Sequence, residues 1–144
     1  MRRLVFALML CLGLSACEIR VSDNGDFDGL WQLTTVDSFA TGRQMDMRSS
    51  GEYWAVQVHL LEVRNTKGCH NSVVFRFSFE GDSLKLRSPY VGEYVEDSLS
   101  SGYDITEVQP YFIDSFDQGF RIHTLNSSRM VLDKEDVRLS FRKY

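Results

Sequence analysis

Ser72-Val73-Val74-Phe75-Arg76-Phe77-Ser78-Phe79-Glu80, followed by Gly81-Asp82 and Ser83-Leu84-Lys85-Leu86-Arg87, decides the fold class. Val73, Phe75, Phe77 and Phe79 fall on one face of an extended chain, with Ser72, Arg76, Ser78 and Glu80 on the other and Val74 the exception. Period-two alternation is the mark of a half-buried strand. Gly81-Asp82 supplies a tight turn, and Leu84 and Leu86 then alternate with Lys85 and Arg87, so the segment reads as a β-hairpin.

The same pattern recurs on both sides. Upstream, Trp54, Val56, Val58 and Leu60 share a face opposite Gln57 and His59. The phase then slips, so that Leu61 and Val63 become the apolar set; within one strand such a slip calls for a bulge. Gly29 to Val36 reads as an opening strand, and Thr41 to Gly51 as a long polar connection. Downstream, Phe120-Arg121-Ile122-His123 alternates, Met130-Val131-Leu132 is a short strand, and Val137, Leu139 and Phe141 alternate with Arg138, Ser140 and Arg142. Tyr94 to Tyr103 reads as a second long connection, and Asp104 to Ile113 as a segment with one short helical turn. Beyond residue 16 there are two alanines against twelve valines and seventeen aromatics, a composition that suits a pleated surface better than a helix. About eight strands in sequential hairpins, each apolar on one side, predict an all-β antiparallel barrel or sandwich.

The first residues differ from the rest. Met1-Arg2-Arg3 is a positive start, and Leu4 to Leu14 is apolar apart from Gly13, the n-region and h-region of a secretory signal. Leu14-Ser15-Ala16-Cys17 follows and resembles the bacterial lipobox, in which small residues precede a cysteine that is lipidated and becomes the first residue of the mature protein. The resemblance implies a signal peptide over 1–16, lipidation of Cys17 and attachment to the cell envelope at the outer membrane, its side left open. Several acyl chains on one cysteine, each methylene contributing about 0.8 kcal/mol, make a stable anchor where one short chain does not. Residues 17–26 read as a polar, acidic tether. Ser22-Asp23-Asn24 with Asp26 loosely resembles the acidic surface-export signal of gut-type bacterial lipoproteins, and a plain solvated spacer fits as well.

Charge and cysteine count narrow the classes. The chain carries a net charge of −4, and loss of Arg2 and Arg3 with the signal takes it to −6. An acidic chain is a poor partner for phosphate backbones, so no nucleic acid is expected. No second apolar stretch approaches the ~20 residues of a spanning helix. With Cys11 in the signal and Cys17 carrying lipid, Cys69 is unpaired and no disulfide joins the mature domain.

Gly29-Leu30-Trp31 ahead of a strand resembles the Gly-x-Trp opening of lipocalins. Met130-Val131-Leu132, a polar turn and Arg138-Leu139-Ser140-Phe141-Arg142-Lys143-Tyr144 resemble the last hairpin of small lipocalin-like lipoproteins of Bacteroidetes. The resemblance spans residues 27–144 in layout. It implies an up-and-down eight-stranded antiparallel barrel open at one end, and a Trp, here Trp31, packed at the closed end beneath an Arg from the last strand, with Arg138 the first candidate and Arg142 the second. The missing disulfide and the short domain depart from true lipocalins and count against a large ligand cavity.

An eight-stranded barrel is just wide enough to be filled by side chains or to hold one small ligand. The inward set expected from alternation is Val56, Val58, Phe75, Phe77, Phe79, Leu84, Leu86, Phe120 and Ile122. Tyr90, Tyr94, Tyr103, Tyr111, Phe112 and Phe116 cluster in the loop-rich stretch 88–118, where they form a lid, an interaction patch or a plug. His59, His70 and His123 are far apart in sequence, and no metal, nucleophile or phosphate-loop motif appears, so neither an enzyme nor a cofactor is expected. Cys69 beside His70 reads as a turn cysteine. Asn126-Ser127-Ser128 fits an N-glycosylation sequon that a bacterial lipoprotein does not normally use. Asp82-Ser83-Leu84 and Asp97-Ser98-Leu99 resemble Bacteroidetes O-glycosylation sites, and unmodified turn serines explain them equally. Two functions follow: a lipid-anchored barrel binding a small apolar molecule in its mouth, or a filled barrel whose loops meet an envelope protein or a glycan.

Overall fold

A computed structural model describes residues 22–91 and 104–144. Nine strands follow one another: β1 (Gly29–Ser38), β2 (Arg43–Asp46), β3 (Glu52–Gln57), β4 (Leu60–Asn65), β5 (Val73–Glu80), β6 (Ser83–Val91), β7 (Gln118–Leu125), β8 (Arg129–Lys134) and β9 (Val137–Lys143). All pairings are antiparallel; β3 to β9 pair in chain order, β1 pairs with both β2 and β3, and β1 also pairs with β9, which closes the sheet. One edge of β1 is shared: Gly29 to Gln32 pair with β3, and Thr35 to Ser38 with β2. β2 and β3 therefore occupy one stave, and the barrel has the eight staves expected from the sequence. Closure removes the exposed edges that an open sheet would present.

Bulges keep apolar side chains inward as the strands bend. In β1 the register against β9 shifts between Leu33 and Thr35. Trp31 and Leu33 before the shift and Val36 after it all lie in the core, which simple alternation cannot achieve. The Thr34 hydroxyl, at the extra position, donates to Ser140 O at 2.8 Å.

The phase slip after Leu60 has a different origin from the bulge expected within one strand. Val58 and His59 form the turn of a hairpin between β3 and β4, with Gln57 opposite Leu60. Reversal of the chain, not an extra residue, exchanges the faces. Val58 sits at φ 57°, a conformation costly for a β-branched side chain. It is held there by the N-terminal segment: the Val58 N–H donates to the Ser22 hydroxyl at 2.9 Å and Asn24 Nδ2 donates to the Val58 carbonyl at 2.6 Å. Residues 22–26, which the sequence assigns to the tether, are thus hydrogen-bonded onto the barrel.

The two ends differ. The base collects the N-terminal segment, the tight β3–β4, β5–β6 and β7–β8 hairpins and the C-terminus. The mouth collects the β1–β2 and β8–β9 turns, the β4–β5 loop and the long β6–β7 connection, as the pairings require. Among the described residues that connection contains two 3-10 turns, Ile105–Glu107 and Gln109–Tyr111.

Candidate functional site

The interior is filled in layers. Trp54 packs tilted on Phe141 with ring centroids 4.8 Å apart and edge-on to Phe120 at 5.5 Å, and Phe75, Leu61, Leu84 and Leu86 surround them, all fully buried. At the base, Phe27 enters from the 3-10 turn Gly25–Phe27 and meets Phe77 and Phe79 edge-on at 5.1 and 5.2 Å. At the mouth, Val108, Tyr111 and Ile113 of the β6–β7 connection are fully buried against the core.

Beneath that cap lies the feature that sequence reasoning missed. Glu52 starts β3 on the same face as Trp54 and Val56, and its side chain is only 6% exposed. Oε1 accepts from Asn65 Nδ2 at 3.1 Å and lies 3.9 Å from His70 Nε2. Oε2 is buried and has no hydrogen-bond partner among the described residues. An unsatisfied buried polar atom costs about 1–3 kcal/mol, more when charged. Tyr111 feels the same carboxylate: burial first, and the negative charge of Glu52 second, push its phenol up to about 12. The Tyr111 hydroxyl donates to Asn71 O at 2.8 Å, and its ring stands edge-on to His70 at 6.0 Å. The alternation that makes β3 legible gives no hint of this carboxylate, because Glu52 precedes the apolar run and looks like the end of a polar loop.

Side-chain bonds at several points hold the cap. Asn71 Nδ2 donates to Glu107 Oε2 at 3.0 Å, and Asp114 N–H to Gln118 Oε1 at 3.2 Å. The buried Lys134 ammonium, projecting from β8, donates to Phe112 O at 3.0 Å and pairs with the Asp114 carboxylate. Phe112 itself stands at φ 62°, a strained conformation that this contact helps to retain.

Concavities formed by the described residues lie on the outer surface. One of about 570 Å³ runs over β1, β7, β8 and β9 and is lined by Thr35, His123, Arg138, Ser140 and Arg142 with Val131 among them. A second, of about 620 Å³, lies beside the base and is lined by Leu30, Ala55, Val58, Leu60 and Val74 with Glu62 and Arg64. The third, about 160 Å³, adjoins the cap at Cys69, His70, Asn71 and Glu107.

A family model described as a lipocalin-like domain matches residues 10–144. The chain belongs to the lipocalin-like domain family. A lipocalin-like protein from Bacteroides uniformis shares the fold at 18% identity and TM-score 0.61, over 83% of this chain and 100% of that one. An uncharacterized protein from Bacteroides eggerthii aligns at 17% identity and TM-score 0.62, over 81% and 98%. A protein from Burkholderia xenovorans aligns at 12% and 0.51, over 81% and 82%. No curated protein matches the sequence.

Within this lipocalin-like domain the expected site residues divide. Val56, Phe75, Leu84, Leu86 and Phe120 are buried in the core, and Phe77 and Ile122 pack against it half-buried. Val58 is not a lumen residue, because it occupies the β3–β4 turn. Phe79 is not one either: it is 42% exposed, since β5 has outrun its pairing with β4, which ends at Leu60 opposite Arg76, and the ring lies edge-on to Phe27 instead. Tyr111 is buried in the cap, and Phe112 and Phe116 pack half-buried on the core. These three close the mouth and do not form an exposed patch. Tyr90 lies in β6; Tyr94, Tyr103, Ser98 and Cys17 fall outside the described residues. Ser83 is half-buried in the β5–β6 hairpin. Cys69 is an exposed free thiol and His59 an exposed turn residue.

The cation over Trp31 is not an arginine. Lys143 Nζ lies 4.9 Å from the Trp31 ring, because Lys143 is the register partner of Trp31. Arg138 is opposite Asp37, near the other end of the strand, where it pairs with Asp133 and covers Phe39. Arg142 points to the outer wall and donates to Gln32 Oε1 at 2.7 Å. The Trp31 indole N–H donates to Phe27 O at 2.8 Å, which ties the opening strand to the base plug.

Proposed function

We propose that this lipocalin-like domain is a non-enzymatic, lipid-anchored protein of the bacterial cell envelope, held at the outer membrane through Cys17, that binds a small molecule at the mouth of its barrel. The ligand has an apolar body and a hydrogen-bond donor, best a cationic nitrogen. The observation that carries this reading is the buried Glu52 with its unpartnered Oε2 beneath the 104–117 segment. Among the described residues that carboxylate oxygen has no donor, and an ammonium or hydroxyl group of a ligand would supply one (charge-assisted bonds being the stronger). Because the interior is filled, the ligand takes volume now held by Val108, Tyr111 and Ile113, and the cap must lift. The described part of the cap is built of two single 3-10 turns rather than sheet, the kind of segment from which lids are drawn.

The test is a fluorescence titration with two apolar dyes of similar size, one bearing an amine and one a carboxylate. The amine dye should bind, and Glu52→Gln should weaken it about tenfold, the 1.4 kcal/mol expected when one charge-assisted bond is lost. Equal affinity for the two dyes sinks the role of Glu52. For the anchor, Cys17→Ser should release the protein from the membrane fraction.

The filled interior favours a second reading, a barrel that meets an envelope protein or a glycan on its outside. The polar groove with Arg138, Arg142, Thr35 and His123 is the surface such a partner would use. If native protein carries no small molecule by mass spectrometry and binds neither dye, this reading replaces the first.

A further inference from the structure

Among the described residues, Leu60, Phe79 and Tyr144 lie at or beside the base with 43%, 42% and 76% of their surface exposed, while the exposed Phe39 and Met45 lie apart from them on the β1–β2 side. The apolar groove of Leu30, Ala55, Val58, Leu60 and Val74 opens at the same end. The chain leaves the barrel there as well. Ser22 is fixed to the β3–β4 turn through Val58, and its hydroxyl donates to Asp28 Oδ1 at 2.7 Å. Four residues, 18–21, separate it from Cys17. Even fully extended, the five links from residue 17 to residue 22 span at most about 18 Å. A lipid on Cys17 therefore cannot reach a bilayer unless the base is within that distance of it.

We propose that the base of the barrel is a membrane-contacting surface, with Leu60, Phe79 and Tyr144 seated in the headgroup region and the capped mouth turned to solvent. The proposal rests on the anchor reading of Cys17 and is independent of the ligand reading at the mouth. Apolar side chains gathered at one end mark an interaction site more often than scattered ones do, and tyrosine suits the membrane interface because its ring is apolar and its hydroxyl is wet. The short link makes a bilayer the occupant, since any other partner of this end would have to displace the membrane that the anchor brings to it.

The chain from Cys17 onward, which keeps every described residue, is prepared with Cys69→Ser and coupled through Cys17 to a maleimide lipid in phosphatidylethanolamine–phosphatidylglycerol vesicles carrying a gadolinium headgroup. Amide signals at 58–60, 79–82 and 126–129 should broaden, and those at 39–42 and 134–137 should not. Equal broadening at both ends, or stronger broadening at the mouth, overturns the proposal. Nearness imposed by the link alone is separated by an untethered arm with Cys17→Ser: the combined variant Leu60→Ser, Phe79→Ser, Tyr144→Ser should bind the same vesicles about tenfold more weakly than its parent. Equal binding, or none by the parent, overturns the contact even if the tethered chain is oriented. Circular dichroism of the variant excludes unfolding. An unacylated Cys17 in the mass spectrum of native protein overturns the anchor reading by a separate observable, and the vesicle assay then reports on the base surface alone.

Discussion

At the base, Phe27 is driven into the barrel by a chain that is bonded on every side. Asn24 and Ser22 grip Val58, Trp31 Nε1 grips Phe27 O, and Lys143 Nζ donates to Asp26 O at 2.9 Å. At the mouth, Val108, Tyr111 and Ile113 are buried as deeply, but the segment that carries them is two single 3-10 turns with a handful of side-chain bonds. Each end also holds a bulky residue in the left-handed region, Val58 at the base and Phe112 at the mouth. The difference is what lies below. The base plug rests on aromatic rings, whereas the mouth cap rests partly on a carboxylate with an unpaired oxygen. A sealed end and a poised end can therefore share the same burial.

Truncating each plug should expose that contrast most strongly. Phe27→Ala removes a fully buried aromatic and should cost about 3–5 kcal/mol of global stability, read by urea denaturation. Ile113→Ala should cost under about 2 kcal/mol, below the usual range for such a truncation, if the cap opens before the barrel unfolds. Its main effect should be faster amide exchange over residues 105–113. Equal losses for the two variants would mean that the cap is part of the cooperative core and not a lid.

The barrel was legible because alternation is a direct imprint of a two-faced wall. Val73, Phe75 and Leu84, Leu86 read correctly from spacing alone, and so did the closing β9. What misled was geometry at strand ends. Phe79 continues the period of Phe75 and Phe77, yet β5 has outrun its neighbour β4 there, and periodicity carries no information about where a neighbouring strand stops. Val58 fits the period of Trp54 and Val56, but a hairpin turn at positive φ broke it, in a residue whose type argues against such a turn. Trp31 pointed to a cation, and register, which sequence does not print, chose Lys143 over Arg138. Glu52 was invisible for a simple reason: a buried charge looks like any other polar residue until the cap above it is placed.

Alkaline titration sharpens the contrast next. The Tyr111 phenol stays protonated in the folded domain up to about 12, burial being the first cause and Glu52 the second, while in the unfolded chain it ionises near 10. Above pH ~10 the unfolded state has lost a proton that the folded state retains, so stability falls as pH rises. The contribution is complete below ~10 and gone above about 12. Tyr111→Phe should cost about 1 kcal/mol at neutral pH through the lost bond to Asn71 and should remove that part of the alkaline loss. The loss should be read chiefly as faster amide exchange over residues 105–113; an alkaline loss confined to global unfolding would make the cap part of the cooperative core and not a lid.

Acid acts on the outer wall instead. Arg138 donates to Asp133 Oδ1 at 2.6 Å and Oδ2 at 2.8 Å. These bonds first, then the charges of Arg138, His123 and Arg121, hold the Asp133 carboxyl below its usual range. A depressed carboxylate stabilises the fold above its unfolded value of ~3.9, and the contribution disappears as pH falls through the lower folded value. Asp133→Asn should cost about 1 kcal/mol at pH 7 and less at pH 3, since the pair is only partly buried. An equal cost at both pH values would assign the effect to packing.

The smallest expected effect returns to the base. Lys143 sits over Trp31 and donates to Asp26 O, so it ties the last strand to the first and both to the turn that delivers Phe27. Lys143→Gln keeps a donor on a shorter stem and removes the charge from the indole face. A cation over an aromatic ring at a half-exposed site is worth about 0.5–1 kcal/mol, and the variant should lose that much and no more, because Trp31 stays buried and its N–H keeps Phe27 O. Global stability should drop slightly with exchange at the mouth untouched. If Lys143→Gln instead speeds exchange at residues 105–113, the two ends are coupled through β1 and β9, and the division into a sealed base and a poised mouth fails.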